Sequence, residues 1–283
     1  LKTSNREDII SNLAASGVFY IPLNFYFHWD ASLALPIAAL AKQDVKVAIK
    51  FRGLDNLIQS DTDNMIPDLQ PGNMQPIKFT PFVEYIYADL NEQLRFKSGM
   101  ELTYLVDQTT VFEIPKHPSS DMDSKVKLPF TNLVKELIIV VQDETDLEEN
   151  SLTGNKWFNY KGIDSIELKF NGETKLSSDI ATGDYLRYLQ PMQHHTRTPC
   201  VYINDAGASY QNLDYQRPSN IFCYSFALHP ESSTPSGSAN FSRIIDPELT
   251  INYKEEANRI VKVIAVSTNI LKVGNNTCCL VFQ

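Results

Sequence analysis

Ile166-Glu167-Leu168-Lys169-Phe170-Asn171-Gly172 is the stretch that decides the class of fold. Ile166, Leu168 and Phe170 share one side of an extended chain, while Glu167 and Lys169 share the other, which is the two-residue period of a half-buried strand. The run ends on Asn-Gly, the dipeptide that most cheaply supplies the two positive φ angles of a type I′ hairpin turn. An antiparallel hairpin is therefore expected here. The same alternation recurs on both sides of it. Strands are expected at 101–106, 109–114, 125–129, 134–141, 221–228, 249–253 and 260–273, and nearer the start at 18–27, 45–52 and 82–88. In the second of these, Val45, Val47, Ile49 and Phe51 form an apolar face opposite Lys46, Lys50 and Arg52.

Helical signals are sparse. Asp89 is placed to cap a helix over 90–97, with Glu92 at the capping-box position. Pro36 suits the first turn of a short helix over 36–40, and Thr182 or Asp184 is placed to cap a turn ending before Pro191. No helix is long enough for a βαβ crossover, so a parallel doubly wound sheet is disfavoured and an antiparallel sandwich expected. Two long polar stretches, 59–76 and 202–218, read as excursions between strands. The best boundary between domains falls near Ser98-Gly99.

Composition narrows the function. Of 283 residues, 43% are hydrophobic and 21% charged, enough apolar material for a packed core and against a disordered chain. The net charge is −9, and no Lys/Arg cluster suited to a phosphate backbone is present, so direct nucleic-acid binding is not expected. No apolar run approaches the roughly 18 residues of a membrane span. No signal-like apolar segment follows Leu1-Lys2-Thr3-Ser4, and residue 1 is not Met, so the natural start is expected upstream. Cys200, Cys223, Cys278 and Cys279 lack metal-ligand spacing, and all four are expected to be reduced thiols, the last two on opposite faces of a strand. Trp29 and Trp157 read as packing aromatics.

Candidate chemistry is thin. His194-His195 lacks a third ligand at useful spacing and reads as a structural turn before Pro199. Ser225 and Ser242 sit in no nucleophile elbow, and Glu148-Glu149 reads as solvated surface. Asn240-Phe241-Ser242 and Asn275-Asn276-Thr277 match the N-glycosylation pattern, with conventional glycosylation not expected in the absence of a signal. No catalytic residue, cofactor-binding residue or metal ligand is assigned.

One block goes further than physics alone. Ile221-Phe222-Cys223-Tyr224-Ser225-Phe226-Ala227-Leu228-His229-Pro230 precedes Pro235-Ser236-Gly237 and Asn240-Phe241-Ser242-Arg243-Ile244. This resembles a signature near the C-terminus of the major capsid proteins of nucleocytoplasmic large DNA viruses. Further blocks resemble the same family in the same order: Ile21-Pro22-Leu23, Ser32-Leu33-Ala34-Leu35-Pro36-Ile37-Ala38-Ala39-Leu40, Asp44-Val45-Lys46-Val47, Tyr85-Ile86-Tyr87-Ala88-Asp89, Val134-Lys135-Glu136-Leu137-Ile138-Ile139-Val140-Val141-Gln142, and Gln190-Pro191-Met192-Gln193-His194-His195-Thr196. That collinearity spans nearly the whole chain.

The resemblance implies an all-β double jelly roll of antiparallel β-sandwiches, the first jelly roll incomplete in this chain. Residues 1–98 would be the C-terminal part of the first jelly roll with its linker helix, and 99–283 the second. It implies a non-enzymatic shell protein without cofactor. Homotrimers would form pseudo-hexagonal capsomers, touching neighbouring capsomers, minor capsid proteins and an internal viral membrane, in a virion assembled in the host cytoplasm. The signature residues Tyr224, Ser225, Phe226, Pro230, Pro235, Ser236, Gly237, Asn240, Ser242 and Arg243 would be structural. Pro235-Ser236-Gly237 is expected to make a tight turn with Gly237 at positive φ, and Arg243 to pair with a backbone carbonyl or an acid. Family members are longer at the N-terminus, Ile245 looks inserted, and the Cys278-Cys279 ending is unusual. These departures leave open a minor or vertex paralogue. A rival of another class is a jelly-roll carbohydrate-binding module or cupin enzyme, with the 202–215 loop supplying aromatics.

From about residue 99 the strand candidates suffice for a self-contained sandwich. The three earlier strands cannot close two sheets, so unpaired edges or uncovered faces are expected there.

Overall fold

The structure, a computed structural model, describes residues 20–23, 25–28, 30–50, 79–114, 122–144, 160–196, 220–254 and 256–282. Trp29, Phe51, Glu148-Glu149, Trp157, Pro199, Cys200 and the 59–76 and 202–218 stretches lie outside the described residues.

Ten strands are described: β1 (Leu102–Ile114), β2 (Asp123–Lys127), β3 (Leu133–Asp143), β4 (Ile163–Phe170), β5 (Glu173–Leu176), β6 (Ile221–Ser225), β7 (Ala239–Asn240), β8 (Pro247–Tyr253), β9 (Arg259–Gly274) and β10 (Thr277–Leu280). One sheet runs β1-β9-β3-β6, with β10 added to β9 and β7 to β3; the other runs β2-β8-β4-β5. Every pairing is antiparallel. With the short β7 and β10 set aside, the chain order in the two sheets is first-eighth-third-sixth and second-seventh-fourth-fifth, the double Greek key of a jelly roll.

The alternation read from the sequence is what fills the space between the sheets. Pro247, Leu249, Ile251 and Tyr253 of β8 are buried and lie beside Ile166 and Leu168 of β4, while Val261, Val263 and Ala265 of β9 and Leu137, Ile139 and Val141 of β3 close the other side. The expected hairpin forms as written, with Asn171 at φ 54° and Gly172 at φ 83° between Phe170 and its partner Glu173. A second two-residue turn joins β9 to β10 through Asn275 (φ 52°) and Asn276 (φ 66°), residues the sequence reading treated only as a glycosylation pattern. Cys278 and Cys279 pair with successive β9 residues and so face opposite ways; with Cys223 they are free thiols.

The β1–β9 ladder outruns the sandwich. Its far end carries Leu102, Tyr104, Leu271 and Val273, which pack with Leu35, Ala39, Leu40, Phe96 and Cys278 in a second apolar cluster. Ala39 and Leu40 come from a 3-10 turn, Ile37–Ala39, the short helix expected after Pro36. Phe96 comes from helix α1 (Leu90–Lys97), capped as expected by Asp89, whose carboxylate accepts from the Glu92 N–H at 2.8 Å. Asp89→Ala should loosen this helix by about 1 kcal/mol, read as faster amide exchange over 90–97 with β3 and β9 unchanged.

Three expectations fail in the early part of the chain. Residues 20–23 and 25–28 form irregular chain and a 3-10 turn, and 45–50 and 82–88 are irregular, none of them a strand. Alternation specifies a face, but a strand exists only when its N–H and C=O groups find a ladder, and no described strand is aligned with these segments. Their apolar side chains stay in water: Val47 is 56% exposed, Phe82 85% and Tyr87 91%.

Elsewhere the corrections are smaller. The strands expected at 101–106 and 109–114 are one, and the strand expected at 221–228 stops at Ser225. The helical segment does not end before Pro191: a π-helical turn, Tyr185–Leu189, runs into α2 (Gln190–His194). The Gln190 N–H bonds to the Tyr185 carbonyl, five residues back, and this widening lets the chain pass the proline, which has no N–H to give. Thr182 accepts from the Tyr185 N–H at 3.3 Å, so it is the residue that caps this segment.

Candidate functional site

The residues singled out by resemblance gather at one corner, where β6 leaves the sheet. A β-bulge at Lys135 of β3 starts it. The Lys135 carbonyl accepts from both the Phe226 N–H at 2.8 Å and the Ala227 N–H at 3.2 Å, which turns the chain out of the ladder. The Ser225 hydroxyl donates to the Ala227 carbonyl at 2.7 Å and accepts from the Ala227 N–H at 3.2 Å, so both its capacities go into that turn. Tyr224 and Phe226 point inward against the core, with rings 5.2 Å apart and edge to face.

Residues 228–238 then form an excursion that returns beside its own outgoing leg. Ser236 accepts from the His229 N–H at 2.9 Å and donates to the His229 carbonyl at 3.2 Å, and Pro230 is buried at the base. Pro235 and Gly237 lie on the exposed return leg. This corrects one expectation: Pro235-Ser236-Gly237 is not a tight turn but an extended leg in close contact with the other. Gly237 does hold positive φ, 141°, and a Cβ there would meet the Phe226 carbonyl oxygen at 2.8 Å. Its hydrogen is what lets the two legs touch.

Asn240 then pairs with Leu133 through β7, and Phe241–Arg243 makes a 3-10 turn. Phe241 is buried, and the Ser242 hydroxyl accepts from the N–H of Asn132, a residue at φ 70° just ahead of β3. Arg243 departs from expectation: it is exposed and makes no hydrogen bond or ion pair among the described residues, because its 3-10 turn directs Phe241 inward and leaves Arg243 on the solvent side. Ile245, the residue that looked inserted, is exposed, with its N–H bonded to the Asn171 side chain at 2.9 Å.

The sequence reading missed the partners of His195. Its Nε2 lies 2.8 Å from Glu136 Oε2 and its Nδ1 3.2 Å from Glu231 Oε1. The Nε2 contact is an ion pair when the ring is protonated rather than an aligned hydrogen bond, since both of its atoms are buried without a hydrogen-bond partner. Glu231 also accepts from the Thr196 N–H and hydroxyl at 3.0 and 2.7 Å, and His194 Nδ1 meets the Leu228 carbonyl at 3.0 Å. Gln190 reaches β6, accepting from the Ser225 N–H at 3.1 Å.

Among the described residues this chemistry holds a corner together. The Cys223 thiol is pushed up to about 12 by burial, with the Glu136 charge adding to it, so it stays protonated at neutral pH. Among the described residues no three His, Cys, Asp or Glu side chains gather as a metal site requires. An open polar cleft of about 520 Å³ elsewhere is lined by Asp164, Asp179, Asp184 and Lys254 among others, with no aromatic face for a sugar to stack on.

The jelly roll and its signature corner can be set beside known proteins. Residues 4–89 match the family described as major capsid protein N-terminus, and 93–205 the large eukaryotic DNA virus major capsid protein. The chain belongs to this capsid protein family. The major capsid protein of Pyramimonas orientalis virus is 31% identical over 264 residues, covering 91% of this chain and 59% of that protein. That of Paramecium bursaria Chlorella virus 1 is 24% identical over 290 residues, covering 93% and 60%. The chain thus spans about 60% of the length of these relatives. Among solved structures it resembles PBCV-1 VP54, fitted into a reconstruction of the virophage Sputnik, with a TM-score of 0.65 at 21% identity over 94% of this chain and 70% of that one. The fold class is an all-β double jelly roll, the first jelly roll incomplete in this chain.

Proposed function

We propose that this chain builds the outer shell of a large icosahedral double-stranded DNA virus as its major capsid protein. Three copies form a pseudo-hexagonal capsomer, each contributing two sandwiches. Residues 1–98 belong to the first jelly roll with its linker helix α1, and 99–283 form the second. Neighbouring capsomers, minor capsid proteins and an internal viral membrane are the partners, and the genome is not touched directly. The virion assembles in the host cytoplasm, and the chain performs no catalysis.

The observation that carries this reading is the closed jelly roll with its signature corner, in a chain whose fold resembles PBCV-1 VP54 over 94% of its length. A protein built to tile needs large sides of mixed character. In this reading the signature residues serve architecture: Tyr224, Ser225, Phe226, Ser236, Gly237 and Ser242 fix the corner where β6 leaves the sheet, while Arg243 faces solvent. The relatives are named major capsid proteins, which supports the same role here.

The full-length protein should be a trimer at micromolar concentration, measured by mass photometry or light scattering. A protein that stays monomeric, with no trimers in assembled particles, would count decisively against the proposal.

A further inference from the structure

Three separate pieces of chain meet at His195. Glu136 comes from β3, turned to the outer face by the bulge at Lys135; His195 and Thr196 follow α2; Glu231 comes from the 228–238 excursion. We propose that His195 is a proton-dependent clasp that fastens the excursion and the end of α2 to β3 when charged, and frees the excursion when it loses its proton.

The geometry carries the argument. The side chains of His195 and Glu136 are 12% and 8% exposed, and the two atoms that face each other at 2.8 Å are otherwise without a hydrogen-bond partner. A buried carboxylate needs a compensating charge, because water is not there to solvate it. The nearest other cation along the chain, Lys135, is already committed to Asp107 of β1 at 2.8 Å. Among the described residues the cation that meets Glu136 is the His195 imidazolium, and the same imidazolium holds Glu231. Removing its proton leaves two carboxylates facing one neutral ring.

Among the described residues the groups around His195 are few. β3 presents Glu136, the excursion presents Glu231, and β6 presents the Cys223 thiol beside Glu136, which stays neutral. His194 on its own segment is turned away to the Leu228 carbonyl. The Glu136 contact raises His195 above the ordinary imidazole value; burial opposes this, and the Glu231 contact adds to it. A group raised on folding contributes its stability fully below its unfolded value and loses it as pH rises through the folded one. Burial pushes the Glu231 carboxyl up, but the Thr196 hydrogen bonds and His195 outweigh it and leave it below the usual range, so Glu231's contribution disappears only as pH falls through that lowered value. The clasp is closed between these limits and opens as pH rises above the folded value of His195.

The inference does not rest on the shell reading, and a monomer should show it too. The test is hydrogen exchange of the full 283-residue chain, corrected for intrinsic rates, together with NMR titration of the His195 ring. Protection of 228–238 should be lower at pH 9 than at pH 6, because the stability a raised imidazole contributes is lost as pH rises through its folded value. The ring should titrate above about 6.5. His195→Gln should hold the open level of exchange at every pH, with β3 and β9 amides still protected. Glu231→Gln should lower the ring's midpoint. Equal protection of 228–238 at both pH values, or a pH dependence that survives in His195→Gln, would overturn the proposal. Should His195→Gln fail to fold, the native ring decides: a midpoint at or below about 6.5 removes the clasp.

Discussion

Phe241→Ala should cost the sandwich about 3–5 kcal/mol, the range for emptying a packed aromatic site. The ring is 3% exposed and stands at the centre of four. Its centroid lies 6.2 Å from that of Phe130, 5.5 Å from Phe170 and 5.9 Å from Phe226, each at a steep angle that sets ring edge against ring face. Each such contact contributes about 0.5–1.5 kcal/mol beyond simple burial. The four rings come from different parts of the jelly roll: Phe130 from the link between β2 and β3, Phe170 from the end of β4, Phe226 from the exit of β6, and Phe241 from the 3-10 turn. Removing the central one leaves a void that three separate elements would have to move to fill. Urea unfolding measures the loss. Ile245→Ala, four residues on at a side chain 82% exposed, should change stability by no more than about 0.5 kcal/mol. A loss below about 1 kcal/mol for Phe241→Ala would mean that the corner is not packed as described.

The fold was readable wherever a strand's signals are local. Ile166 to Gly172 carries its period and its turn within seven residues, and both appear in the structure. Asp107-Gln108 shows where local reading stops. That polar pair looked like a gap between two strands, yet β1 runs straight through it. Asp107 meets Lys135 from β3, and the Gln108 side chain accepts from Asn269 of β9 at 2.7 Å. The Gln108 backbone carbonyl accepts from Ser267 at 3.1 Å. Partners so distant in sequence leave no mark in a short window, so satisfied polar residues read as loop. The early segments err the other way. Val45, Val47 and Ile49 have the right period, but period says nothing about whether a neighbouring strand is present to pair with.

The candidate site divides in the same manner. Resemblance located the corner, and Gly237 at positive φ follows from residue chemistry alone. The roles did not follow. Nothing in the motif gives a reason for Phe241, and only the packing shows it as the anchor. His194-His195 reads as a turn, and it stands at the end of α2. The carboxylates that make His195 more than a turn come from β3 and the excursion, and no spacing in the sequence relates them. Asn275-Asn276 did carry a usable signal, since asparagine tolerates the left-handed region at little cost.

Gly237→Val should destabilise the protein by about 2–6 kcal/mol, adding about 1–3 for a backbone conformation that L residues rarely adopt to about 1–3 for forcing volume into a closed contact. The two terms can be separated, because Gly172 shares the first without the second. Gly172 sits at φ 83° with nothing within 4 Å of where a Cβ would stand, whereas at Gly237, φ 141°, the Cβ would meet the Phe226 carbonyl oxygen at 2.8 Å and the Ala227 Cα at 3.2 Å. Those are backbone atoms and cannot rotate aside. They also belong to the residues whose N–H groups hold the Lys135 carbonyl, so pushing them away strains the bulge as well as the excursion. Gly172→Ala should therefore cost about 1–2 kcal/mol, the left-handed penalty alone, and Gly237→Ala distinctly more. Chemical unfolding of the pair measures the difference, and hydrogen exchange locates it: Gly237→Ala should expose amides at 226–238, Gly172→Ala only those of the β4–β5 turn. Equal losses at the two positions would mean that the excursion does not lie against β6's exit at all, and that Gly237 is there for its φ alone.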